Sequence, residues 1–184
     1  GLHEVETGRN YALVISTNGG LWRYIVGDTI QFTSTQPFRI KVTGRLKHFI
    51  NAFGEEVIID NSEYAIKEAC MATGARVNDY TAAPKYMSHE GNGAHEWIIE
   101  FDDLPVSLET FTALLDQFLQ SVNSDYEAKR HKDIALSMPI VHRMQKGGFN
   151  QWLKSKGKEG GQNKVPRLSN ERKYLEEILP FIEQ

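Results

Sequence analysis

Three charged residues sit in short runs whose spacing suggests chemistry. Asp28 closes GLWRYIVGD (Gly20–Asp28), Arg45 opens GRLKHFINAFGEEV (Gly44–Val57), and Lys164 lies in GQNKVPR (Gly161–Arg167). The residues between Asp28 and Gly44 read as one hairpin: Gln31–Phe32, a Thr-Ser-Thr-Gln-Pro turn, then Phe38–Val42. Such a hairpin sets Asp28 and Arg45 at adjoining strand ends, with a carboxylate and a guanidinium facing one site. A carboxylate accepts two hydrogen bonds from a ribose diol, and arginine donates to ribose or phosphate oxygens. A nucleotide suits that pair. Gly27-Asp28 alone is a weak signal, and a surface salt bridge is the alternative for Arg45.

Lys164 follows a glycine-rich approach, Gly160-Gly161-Gln162-Asn163, and Pro166 fixes the backbone just beyond it. A lysine on such a loop can reach a neighbouring cleft, although the residues alone favour a solvated loop lysine. Arg167 reads as either a phosphate contact or a salt bridge, and Lys47 as an exposed strand lysine.

Other chemistries find little support. The six histidines (His3, His48, His89, His95, His131, His142) show no metal-ligand spacing, and no carboxylates join them in a recognisable site. No metal site is expected. The chain contains neither Gly-x-x-x-x-Gly-Lys-Ser/Thr nor Gly-x-Ser-x-Gly. The single cysteine, Cys70, excludes an internal disulfide framework and lies on the apolar face of a predicted helix as an inert thiol. A reducing, cytoplasmic setting fits. Trp22, Trp97 and Trp152 read as core.

The elements that must position these residues fall into two groups. From residue 1 to 43 the pattern is β: Asn10–Thr17, an Asn18-Gly19-Gly20 turn, Leu21–Val26, then the hairpin around Pro37. Little here completes a core. From Glu56 to Met144 the order is β-α-β-β-α-β: Glu56–Ile59, a helix from an Asp60/Glu63 capping box to Gly74, Val77–Tyr86, Ala94–Phe101, a helix capped by Ser107, and Met138–Met144. A short helix at Gly148–Ser155 and a last one at Asn170–Ile182 follow. The expected class is α+β: a ferredoxin-like antiparallel sheet with flanking helices, preceded by a short all-β piece of a larger domain. The boundary falls in Gly44–Lys47, giving residues 1–46 and 47–184.

A chain of 184 residues, 40% hydrophobic and 24% charged, has an ordinary globular composition. No run reaches the length of a membrane span, and no secretory signal opens the chain. The net charge of -3 hides an asymmetry: residues 129–173 hold 12 Lys/Arg against 3 acids. That stretch is either a solvated basic face or a funnel toward an anionic ligand such as a nucleotide triphosphate. Nucleic acid is not expected, because the run lacks interleaved aromatics for base stacking.

GLWRYIVGD followed by GRLKHFINAFGEEV resembles the adenylate-forming superfamily of acyl- and aryl-CoA ligases, peptide-synthetase adenylation domains and luciferases. GQNKVPR, with NSDYEAKR (Asn123–Arg130) and GGFNQWLKSKG (Gly147–Gly157), is similar to the C-terminal part of the Gretchen Hagen Three acyl-acid amido synthetases, the auxin-responsive family. The resemblance implies that Asp28 holds the adenosine ribose and Arg45 supports ribose or phosphate. It implies that Lys47 is the hinge and that Lys164 stabilises charge on the acyl carboxylate and α-phosphate as pyrophosphate leaves. It implies ATP and Mg2+, bound mainly through an N-terminal domain absent from this chain, with a carboxylic acid and an amine or amino acid as small-molecule partners. The opening Gly, rather than Met, fits a part of such an enzyme, inactive by itself. A CoA ligase is the alternative within the class. A stand-alone ferredoxin-like binding or regulatory module is the alternative outside it.

Overall fold

A computed structural model describes residues 1–45, 49–87, 91–133, 135–158 and 164–183. The chain divides into two compact units, Gly1–His48 and Phe49–Gln184.

The first unit is a three-stranded antiparallel sheet in the order β1-β2-β3: β1 Asn10–Ile15, β2 Tyr24–Thr35 and β3 Phe38–Arg45. In β1, half-buried Tyr11, Leu13 and Ile15 alternate with exposed neighbours, the period of a strand with one covered face. The strand expected over Leu21–Val26 does not end at Gly27-Asp28. It starts at Tyr24 and continues through both residues to Thr35. Glycine makes this possible, because Gly27 takes φ +91° and absorbs a kink that would strain other residues. Pairing with β1 jumps there from Ala12↔Thr29 to Val14↔Ile25, so Val26–Asp28 form a bulge. The core of this unit is thin. Ile30 and Phe32 are its buried apolar side chains among the described residues, whereas Trp22 is 82% exposed, contrary to its reading as core.

The second unit is α+β. Its main sheet, in the order β6-β7-β8, comprises Arg76–Lys85, Ala94–Asp103 and Ile140–Arg143. Two short strands, β4 (Phe49–Ile50) and β5 (Val57–Ile58), pair separately. Helices α1 (Ile59–Thr73), α2 (Leu108–Val122) and α3 (Ser124–Arg130) precede β8, and α4 (Gly148–Ser155) and α5 (Lys173–Ile178) follow it. Ser107 Oγ accepts the Thr110 N–H at the start of α2, and Asn123 caps α3 by accepting the Tyr126 N–H. Gly74 ends α1 in the left-handed region, as its sequence predicts.

The α+β class holds, but the sheet differs from the expected one in strand direction and membership. β6 and β7 pair antiparallel, but β8 runs parallel to β7. The α2–α3 crossover returns the chain to the start of the sheet, so β8 enters in the same direction as β7. The strand expected at Glu56–Ile59 pairs outside this sheet, with β4. Residues after Lys164 lie against β6 instead, through a parallel bridge between Ala82 and Leu168.

Both faces of the sheet are covered. Trp97, Ile99 and Phe101 of β7 join one core with Ala65 and Ala69 of α1 and Phe111, Leu115 and Leu119 of α2. Ile98 faces the other core, with Phe149 and Trp152 of α4, Val165, and Leu175 and Ile178 of α5. This is why β7 is buried at every position from Ala94 to Phe101.

Candidate functional site

The expected site residues lie in both units. In the β unit, Asp28 is half-buried in the bulge of β2 and is the direct Cα partner of Arg45, the last residue of β3. A second irregularity, where Thr29 pairs with Gly44 and Ile30 with Val42, leaves Thr43 as an extra residue in β3 just before the Asp28–Arg45 pair. The hairpin thus brings Asp28 and Arg45 into register, which their spacing predicted, but on a continuous strand instead of at a strand end. Bulges re-aim side chains, and this one lies at the residue expected to meet a ribose. Lys47 lies outside the described residues.

In the α+β unit, Lys164 is exposed and its C-terminal neighbours are fixed. Val165 is buried in the α4–α5 core. Thr81 Oγ1 donates to the Pro166 carbonyl at 2.6 Å, the Ala82 N–H donates to the Arg167 carbonyl at 2.8 Å, and the Ser169 N–H donates to the Ala82 carbonyl at 3.1 Å. An extended segment therefore lines the edge of β6 with Lys164 at its head. The approach through Gly160–Asn163 lies outside the described residues.

Arg167 forms a salt bridge, one of its two expected alternatives. Its guanidinium pairs with Glu63 of α1, lies 3.8 Å from Asp79, and sits 5.2 Å over the Tyr80 ring. Partial burial pulls the guanidinium pKa down, but the Tyr80, Glu63 and Asp79 charges outweigh that and raise it. Tyr80 also donates its hydroxyl to Glu63 at 2.8 Å, and burial pushes its phenol well above the ordinary value. Any phosphate would have to compete with Glu63 for this cation.

Sequence reasoning missed the buried carboxylates behind these segments. Glu55 of the Gly-Glu run has a fully buried side chain that accepts the Phe53 N–H at 2.7 Å and the Ala52 N–H at 3.3 Å. It meets His95 Nε2 at 2.8 Å, also within the core. Glu96 meets His142 Nε2 at 2.8 Å and Arg172 at 2.7 Å. Two histidines are thus joined by carboxylates, contrary to the sequence reading, and both pairs lie within the fold. The alternating His95-Glu96-Trp97 of a two-sided strand was the available signal. Burial works to raise both glutamate pKa values, but hydrogen bonds and charge from His95 at Glu55, and from His142 and Arg172 at Glu96, bring both below the usual value.

A carboxylate with a lowered folded-state pKa gives stability that is present above its unfolded value and lost as pH falls through the folded one. The α+β unit should therefore lose stability as pH falls below the ordinary glutamate value of 4.5. Urea unfolding at a series of pH values measures this, and Glu55→Gln should flatten the acid limb.

Burial raises the Cys70 thiol pKa, keeping it protonated and inert. Among the described residues, no group of three or more His, Cys, Asp or Glu could hold a metal ion, and no helix is long and apolar enough to cross a membrane. An open hollow of about 600 Å³ lined by Tyr86, Asn170, Arg172 and Lys173 contains none of the expected site residues.

Asp28 thus lies in register with Arg45 on a bulged strand of the β unit, and Lys164 stands at the head of an edge segment of the α+β unit. Residues 60–173 match the GH3 family C-terminal domain and residues 1–45 the GH3 family central domain. The chain belongs to the GH3 family. It is 27% identical over 177 residues to the indole-3-acetic acid-amido synthetase GH3.3 of Arabidopsis thaliana, covering 90% of this chain and 30% of that protein. It is 26% identical over 178 residues to the same plant's indole-3-acetic acid-amido synthetase GH3.4, with the same coverage. Its fold is shared with the solved structure of the GH3.15 acyl acid amido synthetase, at a TM-score of 0.78 and 20% identity. That match covers 100% of this chain and 34% of the other. The chain spans about 30% of the length of the curated relatives it matches.

Proposed function

We propose that this chain is the C-terminal part of an ATP-dependent, acyl-adenylate-forming ligase that joins a carboxylic acid to an amine or amino acid. The observation that carries this reading is the match to both GH3 domains, central then C-terminal, in chain order. In this reading residues 1–46 are the C-terminal β part of a large adenylation domain. Residues 47–184 are a mobile domain that turns about Lys47.

The chemistry has two steps. The acid's carboxylate oxygen attacks the α-phosphate of ATP, the bond to the β-phosphate breaks, and pyrophosphate leaves. The amine nitrogen then attacks the acyl carbon, loses a proton, and expels AMP, a far better leaving group than hydroxide. Asp28 accepts hydrogen bonds from the ribose hydroxyls, and Arg45 donates to ribose or phosphate oxygens. The Lys164 ammonium, a compact charge on a long stem, stabilises the charge that shifts among the carboxylate, the α-phosphate and departing pyrophosphate. Mg2+ would be bound mainly outside this chain, and no residue here is assigned to it. The exposed Lys164 and the register of Asp28 with Arg45 support these roles.

The test is ATP–pyrophosphate exchange with a panel of carboxylic acids, including indole-3-acetic acid. The whole protein should catalyse exchange, and the 184-residue chain alone should not, because its ligand set is incomplete. Robust exchange by the isolated chain would overturn the reading, as would none by the whole protein with any acid.

A further inference from the structure

Arg167 carries an inference about how Lys164 is held, and it rests on the reading of Lys164 as the adenylation lysine. We propose that Arg167 and Glu63 are positioning residues: their ion pair latches the Lys164-bearing segment onto α1 and β6, and it is not a nucleotide contact.

Four observations converge on the latch. The guanidinium pairs with Glu63, which lies 104 residues earlier on α1. The same guanidinium lies over the Tyr80 ring, with its Cζ 5.2 Å from the ring centroid. Tyr80 Oη is itself tied to Glu63 Oε1 and to Ser62 Oγ, each at 2.8 Å, so α1 and β6 present one joined surface. Beside it, Thr81 Oγ1 holds the Pro166 carbonyl and Val165 is buried, which pins the two residues next to Lys164. Lys164 precedes these anchors by one residue, and the rigid ring of Pro166 transmits their placement.

The physical consequence is preorganisation. A lysine stem has four rotatable carbons, so an ammonium on an untethered segment samples a large volume. Fixing the backbone one residue away confines that volume before substrate arrives. Displacements on the order of 1 Å at a reacting group can cost about 100-fold in rate. The arginine fork suits this work, because it can satisfy a carboxylate while its flat face lies on an aromatic ring.

Two measurements test the proposal. The first uses the 184-residue chain and limited trypsin digestion, reading the cut between Lys164 and Val165 by mass spectrometry. Cleavage follows the population in which the segment lifts from the sheet. Glu63→Gln should speed that cut about three- to fivefold, the scale of a half-exposed ion pair, while the chain's thermal midpoint moves by no more than about 3 °C. An unchanged cut rate would overturn the latch.

The second uses ATP–pyrophosphate exchange in the whole protein. Glu63→Gln should lower kcat about threefold or more with KM for ATP unchanged. Arg167→Gln should lower kcat about tenfold, and Arg167→Lys, which keeps the charge but loses the planar fork, should recover only part of that loss. If Arg167 instead contacts phosphate, Glu63→Gln would free its guanidinium and lower KM for ATP, and Arg167→Gln would raise KM; either result would overturn the proposal. Lys164→Ala separates the two readings. If it leaves exchange intact, the adenylation role of Lys164 fails, and with it the catalytic purpose assigned to the latch, whatever the trypsin result.

Discussion

Lys164→Ala in the whole protein should lower ATP–pyrophosphate exchange by about 100- to 1,000-fold, equivalent to about 3–4 kcal/mol of transition-state stabilisation. That is the usual cost of removing one preorganised donor aimed at developing charge. Amide formation from preformed acyl-adenylate should stay near wild type. In the proposed cycle, charge on the α-phosphate and attacking carboxylate needs this ammonium while pyrophosphate departs, and the mobile domain has turned before the amine attacks. Equal loss in both half-reactions, or loss in neither, would remove Lys164 from the adenylation step. The exposure of Lys164 makes the experiment clean, since its ammonium is not part of the core.

Asp116→Ala should destabilise the α+β unit by about 3–5 kcal/mol. Asp116 and Arg130 have side chains only 4% and 7% exposed. One carboxylate oxygen accepts from Arg130 Nε and Tyr126 Oη, each at 2.7 Å. The other accepts from Arg130 at 2.9 Å and from Gln120 at 2.8 Å. Arg130 also donates to the Leu136 carbonyl at 2.8 Å, tying α2 and α3 to the chain entering β8. Alanine would strand a guanidinium and a phenol away from water. Such a loss is a large fraction of a typical domain's 5–15 kcal/mol. Urea unfolding measures it, and a change below about 1 kcal/mol would show that water reaches Arg130 and compensates it.

What the sequence disclosed and what it concealed divide along physical lines. Helical periodicity in Leu108, Phe111 and Leu115, the Ser107 cap and the Gly74 stop are local signals, and each element formed where it was expected. The hairpin around Pro37 was equally legible, and with it the register of Asp28 and Arg45. Long-range pairings were not. Whether β8 joins β7 parallel depends on the path of the α2–α3 crossover, which no local pattern states. Gly27-Asp28 looked like a strand end because Gly-Asp usually marks a turn; only pairing with β1 turns it into a bulge.

Buried charge was the hardest to read. Asp116 stands between Leu115 and Leu119 on the covered face of α2, where its partner on α3 is invisible to a periodicity argument. Glu55 was noticed as part of a motif, but its contact with His95 needed the fold. The Lys164 segment shows the same limit. Its Gly-rich approach suggested a free loop, whereas the residues just after the lysine lie against β6 and α1.

The claim at the centre of this account is that the whole protein activates a carboxylic acid by joining it to AMP. The most direct test supplies a productive acid with 18O in its carboxylate, together with ATP and an amino acid, and follows the label by mass spectrometry. Attack of the carboxylate on the α-phosphate predicts one 18O in the AMP released with each amide formed. Label in inorganic phosphate, with ADP as the nucleotide product, would mean that the acid is activated at the γ-phosphate and would contradict the account.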